Sequence, residues 1–167
     1  MSNKKNNLWA PWRKIYLTDK SEGGCIFCEK PDENKDRDNL ILLRGTFSFV
    51  IMNLFPYNSG HLMVVPYKHS ADLEELMDDE ILEIRKFINM SVAIIKQIMS
   101  PDGFNLGVNM GKFSGAGIAE HIHFHVVPRW IGDTNFMPVI SNTKVISEFL
   151  FDTYDKLYNC LSKMEGK

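Results

Sequence analysis

Positive charge is not in excess in this chain: 19 lysines and arginines face 21 aspartates and glutamates, for a formal net charge of -2. That balance gives no reason to expect a polyanion-binding surface, although local basic pockets are compatible with it, and no nucleic acid is expected as a partner. Long hydrophobic runs are also missing. The stretch from His61 to Pro66 is far too short to span a bilayer, and the opening "MSNKKNNLWAPW" lacks the apolar core of a signal peptide. The expectation is a soluble cytoplasmic protein with no membrane partner. Cysteine is scarce, since three residues make a poor disulfide framework. Two of them, Cys25 and Cys28, share "GCIFC", a spacing typical of metal or redox chemistry inside cells. Cys160 falls in a helical pattern, where simple burial is expected. Internal repeats and low-complexity tracts are absent, and 167 residues suit one domain over 1–167.

The chain starts with an aromatic arm (1–24) whose Trp9, Trp12 and Tyr16 carry more apolar weight than a free tail does, so it is expected to pack on the body or on a partner subunit. Residues 29–38, "EKPDENKDRD", have the charge-dense composition of a solvated loop. Three β-like runs follow, at 40–44, 47–53 and 61–66, separated by Gly45 and by the turn formers of "LFPYNSG". Between 72 and 99 the period changes: Ile81, Ile84, Ile88, Val92, Ile95 and Met99 form one stripe of an amphipathic helix that Pro101 and Gly103 end. Strands at 104–109 and 121–127 flank a glycine-rich loop. A last helix over 144–162 uses Val145, Phe149, Thr153, Leu157 and Leu161. The predicted fold is α+β: an antiparallel sheet of about five strands with one long helix against a face, plus a C-terminal helix.

Histidine is scarce too, and its placement is uneven. Of five, three stand at every second position of "HIHFHVVPRW" (121–130). In a strand, His121, His123 and His125 point to one face while Ile122, Phe124 and Val126 point to the core. One account is a solvent-facing strand that happens to use histidine. A second is one metal held by all three, but side chains two apart stand about 6.5–7 Å apart and the outer pair about 13 Å, too far for bonds of about 2 Å to zinc. A third divides the labour among positioning, attack and charge. "GVNMGK" (107–112) is not a phosphate-binding P-loop, because it has one residue too few between its glycines and Phe113 stands where Ser or Thr is needed.

"HIHFHVV" resembles the His-φ-His-φ-His-φ-φ signature of the histidine triad superfamily of nucleotide hydrolases and transferases. "VIMNLFPYNSGHLMVVPYKH" (50–69), "FNLGVNMGKFSGAGIAEH", "LWAPWR" and "VVPRW" extend the resemblance over most of residues 8–136, and it looks closest to the branch of diadenosine tetraphosphate phosphorylases. The resemblance implies a dinucleoside polyphosphate substrate cleaved at an α-phosphate, with water or inorganic phosphate completing the reaction. A nucleoside phosphoramidate hydrolase is the alternative within the same chemistry. A binding module without turnover is the alternative outside it.

Residue by residue, the resemblance implies His123 as the nucleophile that forms a nucleotidyl-histidine, and an imidazole with an ordinary pKa of about 6.5 is in good part the free base near neutrality. His125 matches the residue that contacts phosphate oxygens and offsets charge on the departing group. Asn53 matches a ribose contact, though Asn before "LFPYN" is also a turn former. Asn109 matches a phosphate contact. Ser114, Gly115, Ala116 and Gly117, with Gly111, form a loop whose backbone N–H groups can approach a phosphate, the plain alternative being a flexible hairpin. Cys25, Cys28, His69 and His121 match the Cys2His2 zinc set of some family members, a structural site with no open position; a reduced thiol pair is the alternative. His61 is placed as a hydrogen-bonding support to the triad. A homodimer is the family expectation.

Overall fold

The computed structural model describes residues 24–111, 113–133 and 148–164. The aromatic arm, with Trp9, Trp12 and Tyr16, and the 144–147 portion of the last helix, with Val145, lie outside the described residues. Five antiparallel strands, β1 (Ile41–Arg44), β2 (Ser48–Met52), β3 (Leu62–Pro66), β4 (Gly103–Val108) and β5 (Phe124–Arg129), form one sheet in the order β1-β2-β3-β5-β4. The first three make the expected meander. The β3–β5 pairing, with Leu62 opposite Val126 and Met63 opposite His125, brings the histidine segment to the middle of the sheet. The long helix α2 (Asp78–Met99) lies across β2, β3 and β5, and the C-terminal helix α3 (Leu150–Met164) packs against α2 and β1. No helix among the described residues is long and apolar enough to cross a membrane.

The boundaries differ from expectation for physical reasons. β1 begins at Ile41 because Leu40 adopts φ +62, the left-handed region, where the chain closes a turn with Ile41 N–H donating to the Asp36 carbonyl at 2.7 Å. Residues 29–38 are not all loop. A short helix, α1 (Ile26–Asp32), occupies the start, pinned by Phe27 and Pro31, which are buried one turn apart beneath the charged residues. The 72–99 helix is divided. A 3-10 turn at Leu73–Glu75 precedes α2, whose entry is fixed by the Glu80 carboxylate accepting the Met77 N–H at 2.8 Å. Its buried face is Glu80, Ile84, Phe87, Ser91, Ile94 and Ile95, so Phe87 and Ile94 carry packing that the predicted stripe assigned to the exposed Ile81. In α3, Thr153, Leu157 and Leu161 are buried as expected, as is Cys160, whereas Phe149 precedes the helix and is exposed.

Strand β5 starts at Phe124, three residues later than the run of alternation suggests. His121 to His123 are held outside the ladder by Ile122 N–H donating to the Ser70 carbonyl at 2.6 Å. One carboxylate ties helix to sheet at the opposite edge: Glu83 accepts the N–H groups of Thr46 and Phe47 and the Ser48 hydroxyl at 2.9, 2.8 and 2.7 Å. Glu83→Ala strands those donors of the β1–β2 turn, and equilibrium urea unfolding is expected to lose about 1.5–3 kcal/mol.

Candidate functional site

His121, His123 and His125 are all buried, at 0, 4 and 8% exposure, which removes a solvent-facing strand as their explanation. Nor do they gather round one point. His121 turns towards two sulfurs and another histidine, His125 towards His61, and His123 stands between, its ring centroid 4.8 Å from that of His125.

On the His121 side, Cys25 Sγ lies 3.3 Å from His121 Nδ1, and Cys28 Sγ lies 3.5 Å from the same nitrogen and 3.4 Å from His69 Nδ1. All four donor atoms of Cys25, Cys28, His69 and His121 fall within 4.8 Å of one another. Zinc bonds of about 2.0–2.3 Å arranged tetrahedrally require ligand-to-ligand edges of roughly 3.3–3.8 Å; the three separations of 3.3, 3.4 and 3.5 Å match these edges, and the donor types suit the ion. The second nitrogen of His121 is already committed: its Nε2–H donates to the Pro66 carbonyl at 2.9 Å, which leaves the Nδ1 lone pair aimed at the sulfurs. Burial, and then the neighbouring Cys25, push the Cys28 thiol up to about 11. Cys28 therefore lacks the lowered thiol pKa of a reactive redox cysteine.

On the other side the ring protons can be traced. The backbone N–H of Tyr57 donates to His61 Nδ1 at 3.0 Å. His61 must then carry its proton on Nε2, which stands 2.9 Å from His125 Nδ1 and donates to it. His125 in turn keeps its own proton on Nε2, beside the Asn109 carboxamide. His123 is set by a different partner. Its Nδ1–H donates to the His121 carbonyl at 2.9 Å, so its Nε2 carries an unshared pair. The two histidines thus present opposite chemistry side by side, one a lone pair and the other an N–H.

The HIT domain family model matches residues 34–130. The chain belongs to the histidine triad family. The AP-4-A phosphorylase of Mycobacterium tuberculosis is 41% identical over 155 residues, covering 87% of this chain and 79% of its own length. An adenosine 5'-monophosphoramidase of Schizosaccharomyces pombe is 26% identical over 105 residues, covering 65% of this chain and 74% of its own. Among solved structures, a Zn-bound histidine triad family protein from Mycobacterium smegmatis superposes with a TM-score of 0.68 at 21% identity, over 86% of this chain and 96% of that one. The protein is thus an enzyme of the histidine triad family, on the AP-4-A phosphorylase-like branch.

Around the triad, the other expected residues are placed unevenly. Asn53 serves the turn, its Oδ1 accepting the Phe55 N–H at 2.9 Å, while its amide nitrogen stands 3.4 Å from His61 Nδ1. The Asn109 carboxamide nitrogen stands 3.5 Å from His125 Nε2. Ser114 closes a tight turn through its hydroxyl to the Gly111 carbonyl at 2.8 Å, with Gly111 and Gly115 at φ +80 and +86 where a side chain would be strained. Among the described residues no hydrogen bond joins Ser114, Gly115, Ala116 or Gly117 to the histidines. Two contacts had been passed over. Phe27, lying between the two cysteines in "GCIFC", packs on the rings of His121 and His123, and Tyr57, read only as part of a turn, has its ring 4.7 Å from His61 and 5.6 Å from His125.

Burial, and then the neighbouring His123, pull His125 down from 6.5 to about 4, so at neutral pH it is an uncharged hydrogen-bond donor. The groups facing it are His61, His123, Tyr57 and Asn109. Because the unfolded chain holds a proton on this side chain that the folded one refuses, stability is lost as the pH falls from 6.5 through about 4. His125→Gln is expected to flatten that part of the stability–pH curve in urea melts. An unchanged slope contradicts the buried, neutral assignment.

Proposed function

We propose that the protein is a nucleotidyl transferase that cleaves dinucleoside polyphosphates of the diadenosine tetraphosphate type at an α-phosphate, through a covalent nucleotide on His123. The observation that carries this is the pairing of an unshared Nε2 pair on His123 with an Nε2–H on His125, rings 4.8 Å apart. His123 Nε2 attacks the α-phosphorus, a P–N bond forms, and the P–O bond to the remaining polyphosphate breaks with its electron pair leaving on oxygen. A hydrogen bond from His125 Nε2–H to that oxygen offsets the developing charge, and the departing phosphate is a weak base that needs no full proton transfer. In the second half an oxygen of inorganic phosphate attacks the same phosphorus and expels His123 as the neutral imidazole; water can do so in its place. His61 is a positioning residue here, since it keeps the His125 proton on the nitrogen facing the substrate.

Asn53 is proposed to meet the ribose through its amide nitrogen, and Asn109, Ser114, Gly115, Ala116 and Gly117 to meet the phosphates. The similarity to the AP-4-A phosphorylase supports the substrate class, and the more distant similarity to a phosphoramidase supports phosphoramidate hydrolysis as the second reading. Cys25, Cys28, His69 and His121 would hold a structural zinc, which when bound cross-links α1 to the histidine segment and presents no open position to substrate. A homodimer is supported by the end position of β4, whose edge, unpaired among the described residues, carries the exposed Leu106. The thiol pair suits the reducing cytoplasm.

Incubation with diadenosine tetraphosphate and inorganic phosphate, followed by chromatography, is expected to yield ADP and ATP; without phosphate, slow release of AMP and ATP is expected. His123→Ala should retain nucleotide binding and lose nearly all turnover, and His125→Ala should slow turnover by about 10²- to 10⁴-fold. No mononucleotide from this substrate, but release from an adenosine phosphoramidate, would favour the second reading. Ordinary activity in His123→Ala would remove the mechanism.

A further inference from the structure

The helix α1 delivers more than two sulfur donors. Between Cys25 and Cys28 stands Phe27, only 2% exposed. Its ring lies edge-on to His121, with centroids 5.5 Å apart at 74°, and tilted against His123, with centroids 5.0 Å apart at 51°. One aromatic ring therefore touches both a member of the Cys2His2 cluster and the imidazole assigned as nucleophile.

The two ends of α1 are held differently. Its C-terminal end is tied to the body by Asn39 Nδ2–H donating to the Lys30 carbonyl at 3.1 Å and by Arg44 donating to the Pro31 carbonyl at 2.7 Å. Among the described residues, the polar contacts that reach its first turn from the rest of the protein are those of Cys25 and Cys28 with His121 and His69. His121 is anchored without them, through its own Nε2–H to Pro66 and through the Ile122 N–H to Ser70. Drawing the four donors together thus moves the first turn of α1, and Phe27 with it, towards a fixed histidine segment. The His123 ring has one side-chain hydrogen bond, at Nδ1, so its setting about χ1 and χ2 also depends on the rings packed against it, Phe27 on one hand and His125 on the other.

We propose that Phe27 is a positioning residue that couples filling of the Cys2His2 cluster to the orientation of the His123 imidazole. The proposal rests on His123 being the nucleophile and on the cluster being a metal site. Misplacing a reacting atom by about 1 Å can cost about 100-fold in rate, so a tilt of this ring appears in turnover and not in substrate affinity.

The test uses the full chain as wild type, Phe27→Leu, Cys28→Ser and the double variant, with zinc alone as the metal probe. Three quantities are read: zinc per chain, kcat and KM on diadenosine tetraphosphate, and the ring resonances of His123, assigned by their loss in His123→Ala. Phe27→Leu is expected to keep about one zinc per chain and to lower kcat about tenfold with KM within about twofold. Cys28→Ser should lose zinc and lower kcat similarly, and the double variant should fall little below the worse single one, as expected for residues acting through one contact. Removing zinc should shift the His123 resonances in wild type and leave them nearly still in Phe27→Leu. Additive losses in the double variant, or an equal zinc response in Phe27→Leu, would overturn the proposal and move the coupling to the His121 carbonyl. In wild type alone, cross-relaxation between the Phe27 and His123 ring protons must weaken on zinc removal; an unchanged signal overturns the proposal whatever the variants do. Ordinary turnover in His123→Ala is a separate failure, that of the nucleophile assignment on which the proposal rests.

Discussion

A neutral imidazole has one proton and one lone pair, and the chemistry of this site depends on which nitrogen holds which. Each of four buried or half-enclosed rings here has one nitrogen committed to a fixed partner. Pro66 takes the proton of His121, the His121 carbonyl takes that of His123, the Tyr57 N–H occupies His61, and His61 occupies His125. Three of these four anchors are backbone groups, which do not titrate and cannot rotate away. The result is a lone pair turned to two sulfurs, a second lone pair left unshared and an N–H beside it, all within a five-residue segment. Burial reinforces the pattern by holding all three triad rings below the ordinary imidazole pKa, so that none is charged at neutrality.

The sheet exists, for the purposes of this site, to supply those anchors. β3 ends at Pro66, whose carbonyl is the partner of His121, and begins just after His61. Its antiparallel pairing with β5 places Met63 opposite His125, so that one short strand reaches both ends of the triad. The hydrophobic core makes that pairing rigid. Val64, Val65 and Val126 are fully buried, with Ile94 and Ile95 of α2 in the same cluster. A close-packed core tolerates little displacement, and the distances between imidazoles are correspondingly fixed.

Much of this was legible in the residues. The period-two histidines, the meander and the change of period at the long helix all come from local pattern, which reports which face a residue occupies. Pattern does not report partners. The burial of His121 against the Pro66 carbonyl depends on a strand 55 residues away, and the grouping of Cys28 with His69 and His121 spans 41 and 93 residues. The Cys2His2 grouping followed from family resemblance and not from spacing, and the Pro66 contact was not legible at all. Phe27 was missed because between two cysteines it reads as filler, and because residues one or two apart on a helix do not share a face, so the spacing gave no sign that its ring meets the same histidines. Charge hid α1: the acids and bases from Glu29 onward suggest a loop, while burial of Phe27 and Pro31 determines the conformation. The start of β5 was misplaced because alternation continues through residues 121 to 123 although their backbone is bonded to Ser70 instead of to a neighbouring strand.

The central claim is that His123 bonds covalently to phosphorus, and it is most directly tested by chemical quench. Enzyme mixed for milliseconds with diadenosine tetraphosphate labelled at the α-phosphate, then denatured under alkaline conditions that preserve phosphoramidates, should carry one nucleotide on the peptide containing residues 121 to 125. Fragmentation should place it on His123, and the adduct should be released by mild acid and vanish in His123→Ala. Full turnover with no adduct at any quench time, or an adduct on His121 or His125, would contradict the account.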